Sequence, residues 1–220
     1  MKKDCHFFPA LEYLQKPRTP FELRDFIEEV RRAAQMDDAL RHAAIQKKGL
    51  FKQLVEEIMP IKCYALSQYP DNNVRISPVL GNQGYDAEVH DLSGRLIERI
   101  EVTIPHDGAQ ESEDSKLTVS RGYGKCRVFE PGEEMRLLTP RLLETAKSKA
   151  AKDYTDSTLL FVLAVLPPID SPITQSADMA EVASIEVSLT AIRFRARKVV
   201  LLLPSGHVRT IHPENRSLKE

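Results

Sequence analysis

Tryptophan is missing from this 220-residue chain, and only three cysteines and nine glycines occur in it. Cys5, Cys63 and Cys126 are odd in number and far apart. They fit neither a disulfide framework nor the close spacing of a zinc site, and three free thiols in a reducing cytoplasm are the expectation. No apolar run is long either. The longest, Leu159 to Leu166, falls well short of the roughly 20 residues that cross a bilayer. The opening Met1-Lys2-Lys3-Asp4 leads into no apolar core of a signal peptide. A cytoplasmic protein without a membrane segment is therefore predicted. An excess of one charge is lacking as well, since 31 Lys and Arg meet 32 Asp and Glu. That balance excludes coating nucleic acid by bulk positive charge, which takes a large basic excess, and leaves only a local basic patch for the purpose. G-x-S-x-G elbows, P-loops and H-E-x-x-H pairs are absent too, so three common catalytic devices drop out. No repeat and no low-complexity segment is found.

What is present begins with helix. Thr19-Pro20-Phe21-Glu22 has the form of a capping box with proline at the first helical position. Phe26, Ile27, Val30, Ala33 and Ala34 follow at helical spacing. A second helix is predicted from Asp38 to Lys48, ended by Gly49, and a third from Leu50 to Met59, ended by Pro60. Residues 1–70 thus read as a helical N-terminal region packed on the rest, whose apolar stripes are packing surfaces and a candidate dock for a protein partner.

After the turn at Pro70-Asp71-Asn72-Asn73 the period changes. Tyr85 to His90 and Arg95 to Ile104 alternate and are joined by Asp91-Leu92-Ser93-Gly94, which reads as a β-hairpin. Residues 105–131 are polar and irregular, with a strand near Lys116 to Val119 or Cys126 to Phe129 as the alternatives. Thr139-Pro140 then opens a helix to about Tyr154, and Thr158 to Leu166 reads as a strand buried on both faces. Asp178 to Ala196 is helical in period, Val199 to Leu203 is a last buried strand, and His207 to Ile211 is its candidate partner. The expected fold is α/β, a mixed central sheet flanked by helices, over residues 71–213, with 214–220 a loose tail.

The hairpin carries the chemistry. Alternation sets Tyr85, Ala87 and Val89 on one face of the first strand and Asp86, Glu88 and His90 on the other. In the second, Leu96, Ile100, Val102 and Ile104 oppose Ile97, Arg99, Glu101 and Thr103. Matching the apolar faces, or centring an even-length turn on Leu92-Ser93, sets Asp86 and Glu101 on one side of the sheet. An odd-length turn sets them on opposite sides. Two neighbouring carboxylates suit a hard divalent ion, which activates water and neutralises charge on a phosphodiester.

Gly84-Tyr85-Asp86-Ala87-Glu88-Val89, a tight turn, then Ile100-Glu101-Val102-Thr103 resembles the Asp…Glu-x-Lys hairpin of the PD-(D/E)XK superfamily of restriction-endonuclease-like nucleases. The likeness extends through the Lys149 and Lys152 helix to the Leu/Val-rich strand, about 80 residues by the spacing of these motifs. It implies Asp86 and Glu101 as ligands of Mg²⁺ or Mn²⁺, with Glu88 a weaker candidate, and nucleic acid as substrate. The departure is Thr103, where the family pattern has a lysine that positions the attacking water. Some relatives that lack it take a cation from the next helix, which makes Lys149 the first candidate here, Lys152 the second and Lys147 the third. Arg121 and Lys125, around Gly122-Tyr123-Gly124, are candidate phosphate contacts, and His106-Asp107 lies near the expected site. Against the nuclease stands a catalytically inactive scaffold serving as a binding or assembly module. In it the two carboxylates are solvated beside Arg99, and Arg193, Arg195, Arg197 and Lys198 merely complement a helix end.

Overall fold

A computed structural model describes residues 11–81, 83–105, 108–122, 130, 132–163 and 172–213. Among the described residues the chain is mixed α/β, and six strands follow chain order in one sheet. The helices are α1 (Leu11–Gln15), α2 (Pro20–Met36), α3 (Asp38–Ile45), α4 (Leu50–Gln53), α5 (Met59–Gln68), α6 (Gly108–Arg121), α7 (Glu133–Ala150) and α8 (Pro172–Thr190). The strands are β1 (Val74–Pro78), β2 (Ala87–Asp91), β3 (Leu96–Thr103), β4 (Tyr154–Val162), β5 (Ala196–Leu202) and β6 (Val208–His212). β1 and β2 are antiparallel, β3 to β5 are parallel, and β6 returns antiparallel to β5. No helix among the described residues is long and apolar enough to cross a membrane.

Two compact units divide the chain. The first holds Met1–Ile97 and Gly108–Lys125, the second Glu98–Asp107 and Cys126–Glu220. In the first, Thr19 and Glu22 form the predicted capping box, each satisfying the other's backbone amide. Leu23, Phe26, Ile27 and Val30 recur at helical spacing and are buried. Arg18, just ahead of the box, is also buried. Its guanidinium donates to the carbonyls of Tyr13 at 2.7 Å and Lys16 at 3.0 Å and lies over the Phe26 ring. Its backbone exchanges two hydrogen bonds with Ile76, which ties this segment to β1. Burial pulls the Arg18 pKa below its ordinary value, yet an arginine stays charged, so the fork remains a donor throughout the accessible range.

The predicted break at Pro60 is not found. The helix passes through a π-helical stretch, Leu54–Ile58, and continues as α5 to Gln68. Proline has no amide to lose in the first turn of a helix, and the widened π-turn just before it relieves the ring's clash with the preceding carbonyl. Residues 108–121 form α6, not the irregular stretch or the Lys116 to Val119 strand expected. Apolar side chains are too sparse in that segment to advertise a helical period. The alternative strand, Cys126 to Phe129, lies outside the described residues. β1 was not expected at all, although Val74 and Ile76 are buried in alternation.

The tip of the hairpin overturns the even register. Asp91 N donates to Arg95 O at 3.0 Å, and Gly94 N donates to Asp91 O at 3.0 Å. This is a three-residue loop with Gly94 at φ 88°, a conformation that glycine adopts without a Cβ penalty. Asp86 lies in the bend ahead of β2, where strict alternation no longer dictates direction. The Asp91 carboxylate organises the loop by accepting from the Ser93 and Arg95 amides at 2.9 and 3.0 Å and from the Ser93 hydroxyl. Chiefly the Ser93 hydroxyl, and then the Arg95 amide, hold its pKa down at about 2. A depressed carboxylate stabilises above its unfolded pKa, about 3.9, and loses that contribution as pH falls through the folded value. Asp91→Ala is accordingly expected to lower the melting temperature at pH 7, by a margin that shrinks between pH 4 and pH 2. A margin independent of pH would show that the charge does no work in the loop.

The second unit is built on the parallel ladder. Glu101, Leu159 and Val199 are successive partners, as are Thr103, Phe161 and Leu201, so these six share one face. Leu159, Phe161, Val199 and Leu201 belong to a core that includes Leu142 and Ala146 of α7 and Val182, Ile185 and Leu189 of α8. Each such large side chain contributes about 1.5–3 kcal/mol on burial. Leu160, Val200 and Ile100, on the opposite face, are buried as well, which explains the unbroken apolar run of β4.

Two predicted helix boundaries are wrong. α7 starts at Glu133 and carries Pro140 in its interior, not at its head. The Thr139 hydroxyl donates to Met135 O at 2.8 Å next to the carbonyl that the proline leaves without an amide partner. α8 ends at Thr190, so Ile192 and Arg193 lie in the connection and Ala196, Arg197 and Lys198 belong to β5. The supposed basic helix end is therefore spread over a loop and a strand. Arg195 is occupied by Asp153 at 2.7 Å. Val208 to His212 does pair with β5, as expected of the segment beyond Gly206.

Candidate functional site

Leu142, Ala146 and Lys149 lie four and three residues apart on α7, which sets Lys149 on the stripe that faces the core. Its position in the last turn suits a cation, since the carbonyl end of a helix carries partial negative charge. From there its ammonium forms an ion pair with Glu101 Oε1. It also lies 3.4 Å from the Tyr154 hydroxyl at the start of β4. The side chains of Lys149 and Glu101 are only 18% and 12% exposed. Lys149 is thus the helix lysine that reaches Glu101, the first of the three sequence candidates. Lys147 and Lys152 are exposed.

Burial draws the Lys149 pKa down, but the hydrogen bond and charge of Glu101, aided by Tyr154, outweigh it and leave the pKa raised. A raised lysine contributes stability that is complete below its unfolded pKa, about 10.4, and is lost as pH rises through the folded value. Removing the ammonium strands a half-buried carboxylate, at a cost of about 1–3 kcal/mol. Lys149→Met is expected to show that deficit in urea midpoints from neutral pH to about pH 10, and to converge on the native chain in stronger alkali. Equal midpoints at pH 7 would mean that the pair adds nothing.

The polar side chains around this pair are not those of a solvated strand face. Thr103, two residues beyond Glu101 on the same face, is 5% exposed, and its Oγ1 is buried with no hydrogen-bond partner among the described residues. Arg99 pairs with Asp156 across β3 and β4. Glu98 was passed over in the sequence because it falls on the apolar face of β3. It is 3% exposed and accepts from the Thr158 hydroxyl. The signal that would have found it is a charge at a position where alternation demands an apolar residue.

The remaining sequence candidates scatter. Asp86 is half-buried in the bend before β2, and its carbonyl accepts from Val79 N at 2.8 Å. Glu88, also half-buried, lies 3.7 Å from His90 on the same strand face. Arg121 is exposed at the end of α6. Lys125, His106 and Asp107 lie outside the described residues. No three His, Cys, Asp or Glu side chains converge to hold a metal ion among the described residues.

Lys149 engages Glu101 through Oε1. Mg²⁺ is commonly held by one or two carboxylates, with water and phosphate oxygens filling its octahedron, and needs no all-protein cage. A resident ion held by three or four side chains is not what these residues provide. No family model, curated protein or solved structure matches the chain.

Proposed function

We propose that this chain is a divalent-cation-dependent phosphodiesterase acting on nucleic acid, in the manner of a PD-(D/E)XK nuclease whose motif lysine has been replaced from the following helix. The observation that carries the reading is the half-buried Glu101–Lys149 pair, with Thr at the position where the motif has its lysine. The order of β1, β2, β3, α7 and β4, with β4 parallel to β3, is compatible with it. In such a site Glu101 takes part in holding Mg²⁺ or Mn²⁺, and Asp86 is the second carboxylate that the motif supplies. The ion, when bound, polarises a phosphoryl oxygen and raises the acidity of a bound water. Lys149 offers fixed positive charge to the phosphate as negative charge builds up on it, and Tyr154 steadies the ammonium. The intracellular, reducing setting that the free thiol of Cys63 suits is compatible with such a substrate.

A second reading has its own support. The loop at Asp91–Arg95 has three residues, not the even number that was one of the two grounds for aligning Asp86 with Glu101. In that reading the site is a silent relic, and the helical N-terminal region binds a protein partner. Incubation of the native chain with single- and double-stranded DNA and RNA, with Mg²⁺ or Mn²⁺, separates the two. Cleavage that disappears in Glu101→Ala supports the nuclease. Cleavage that persists unchanged in that variant assigns the activity elsewhere.

A further inference from the structure

β6 ends the sheet, and among the described residues β5 is its only strand partner. β1, at the other end of the strand order, is not left this way, because the main chain of Arg18 exchanges two hydrogen bonds with Ile76. Leu203 N donates to His207 O at 2.9 Å, so antiparallel alternation makes Leu201 and Arg209 the next hydrogen-bonded pair. Val208 and Thr210 then turn their amides and carbonyls outward, and the Thr210 side chain is exposed. Free charge on an edge strand discourages pairing, but Arg209 is held by Glu186 of α8 at 2.8 Å. The register shift opposite Val199 and Val200 confines the regular open stretch to Val208, Arg209 and Thr210.

A helix flank lies over the same edge. Glu181 of α8 pairs with Arg136 of α7 at 3.7 Å, and Glu186 pairs with Arg209 of β6. These pairs mark which flank of α8 is turned to α7 and which to β6. At about 100° per residue, Met179, Ala183 and Thr190 fall within about 60° of Glu186, on the side away from Glu181 and from the core residues Val182, Ile185 and Leu189. Every exposed side chain described on α8 is uncharged, in a chain that is 29% charged, so nothing on this flank repels an apolar neighbour.

We propose that this edge is an interface with a second copy of the chain, β6 pairing antiparallel with β6 of the copy about a two-fold axis. Val208 of each copy exchanges main-chain hydrogen bonds with Thr210 of the other, and the axis repeats the exchange. The same axis brings the two α8 flanks side by side on one face of the paired strands, which covers Met179, Ala183 and Thr190 together with the edge. A lone peptide strand would satisfy the edge and leave the helix flank bare, so a second copy is the better fit. Arg209 comes to lie across the axis from its symmetry mate, and each guanidinium is neutralised by its own Glu186.

Sedimentation of the full chain is expected to show a monomer–dimer equilibrium in the micromolar range, with the Thr210 amide gaining protection against hydrogen exchange as concentration rises. Ala183→Lys sets like charges across the axis and is expected to raise the dissociation constant at least about tenfold. Thr210→Pro removes an amide that makes no bond to β5 and is expected to weaken association likewise at an unchanged urea midpoint. Where proline unfolds the strand, Ala183→Lys decides, since an exposed helix position accepts lysine. Ser184→Lys, turned about 160° from Glu186, is expected to leave association unchanged. A native chain that stays monomeric at millimolar concentration overturns the proposal. A dimer that Ala183→Lys leaves intact overturns it as well, because the contact then lies elsewhere. A Thr210 amide already protected in the monomer also overturns it, since another segment of the chain would then cover the edge.

Discussion

Glu101→Ala is expected to reduce cation-dependent cleavage by at least about a hundredfold, the scale on which metal ligands and charge-stabilising groups act. In the proposed phosphodiesterase the same carboxylate serves both partners of the site. Its Oε1 holds the Lys149 ammonium, and in that reading the carboxylate also takes part in holding the ion. Alanine therefore removes the ligand and at the same time releases the lysine from its place against the strand. Lys149→Met keeps the carboxylate and removes only the charge, so it should lower kcat while the dependence on cation concentration persists. Glu101→Ala should instead abolish that dependence. Both variants lose the pair, so urea midpoints must show that each remains folded under assay conditions. A Lys149→Met variant with native kcat would refute the lysine's catalytic charge, whatever became of Glu101.

The second large effect concerns stability of the first unit. Arg18→Met is expected to destabilise it by about 2–3 kcal/mol, read as a fall in the urea midpoint at unchanged slope. Methionine preserves the apolar stem over the Phe26 ring, 4.0 Å from the guanidinium carbon, but it has no donors for the carbonyls of Tyr13, Lys16 and Leu14. Those carbonyls end α1, a helix of five residues that is too short to persist by itself. With the fork gone, α1 is left to its own backbone hydrogen bonds. The bridge from Arg18 to Ile76 is made by main chain and should survive, so protection of the Ile76 amide against hydrogen exchange should outlast that of α1. Simultaneous loss of both would mean that the guanidinium also holds the β1 edge.

Much of the fold was legible because local rules and tertiary context agreed. The Thr19 capping box is a local device, complete within four residues, and it forms as read. The apolar run of β4 needs no knowledge of its neighbours, because only a strand covered on both faces tolerates it. The proline readings at Pro60 and Pro140 failed for the reverse reason. Proline's cost is local, but whether a helix bears it depends on what surrounds it, as with the π-turn ahead of Pro60. The register of the hairpin failed for want of one residue in the loop. Asp91-Leu92-Ser93-Gly94 accommodates a two-residue or a three-residue turn, and only the hydrogen bonds of Asp91 with Gly94 and Arg95 choose between them.

The sequence by itself determined the α/β class and most of the elements. Periodicity, caps and glycines are written within a few residues of where they act. Which lysine meets Glu101 was decided only by tertiary structure. Lys147, Lys149 and Lys152 are alike in a string, but Lys147 is turned about 200° from Lys149, given 3.6 residues per turn, and Lys152 lies past the end of α7 at Ala150. Only one of the three falls on the stripe with Leu142 and Ala146 that β3 and β4 cover. The buried state of Glu98 and the unpartnered hydroxyl of Thr103 have the same origin, since both depend on what a strand packs against and not on the strand's own alternation.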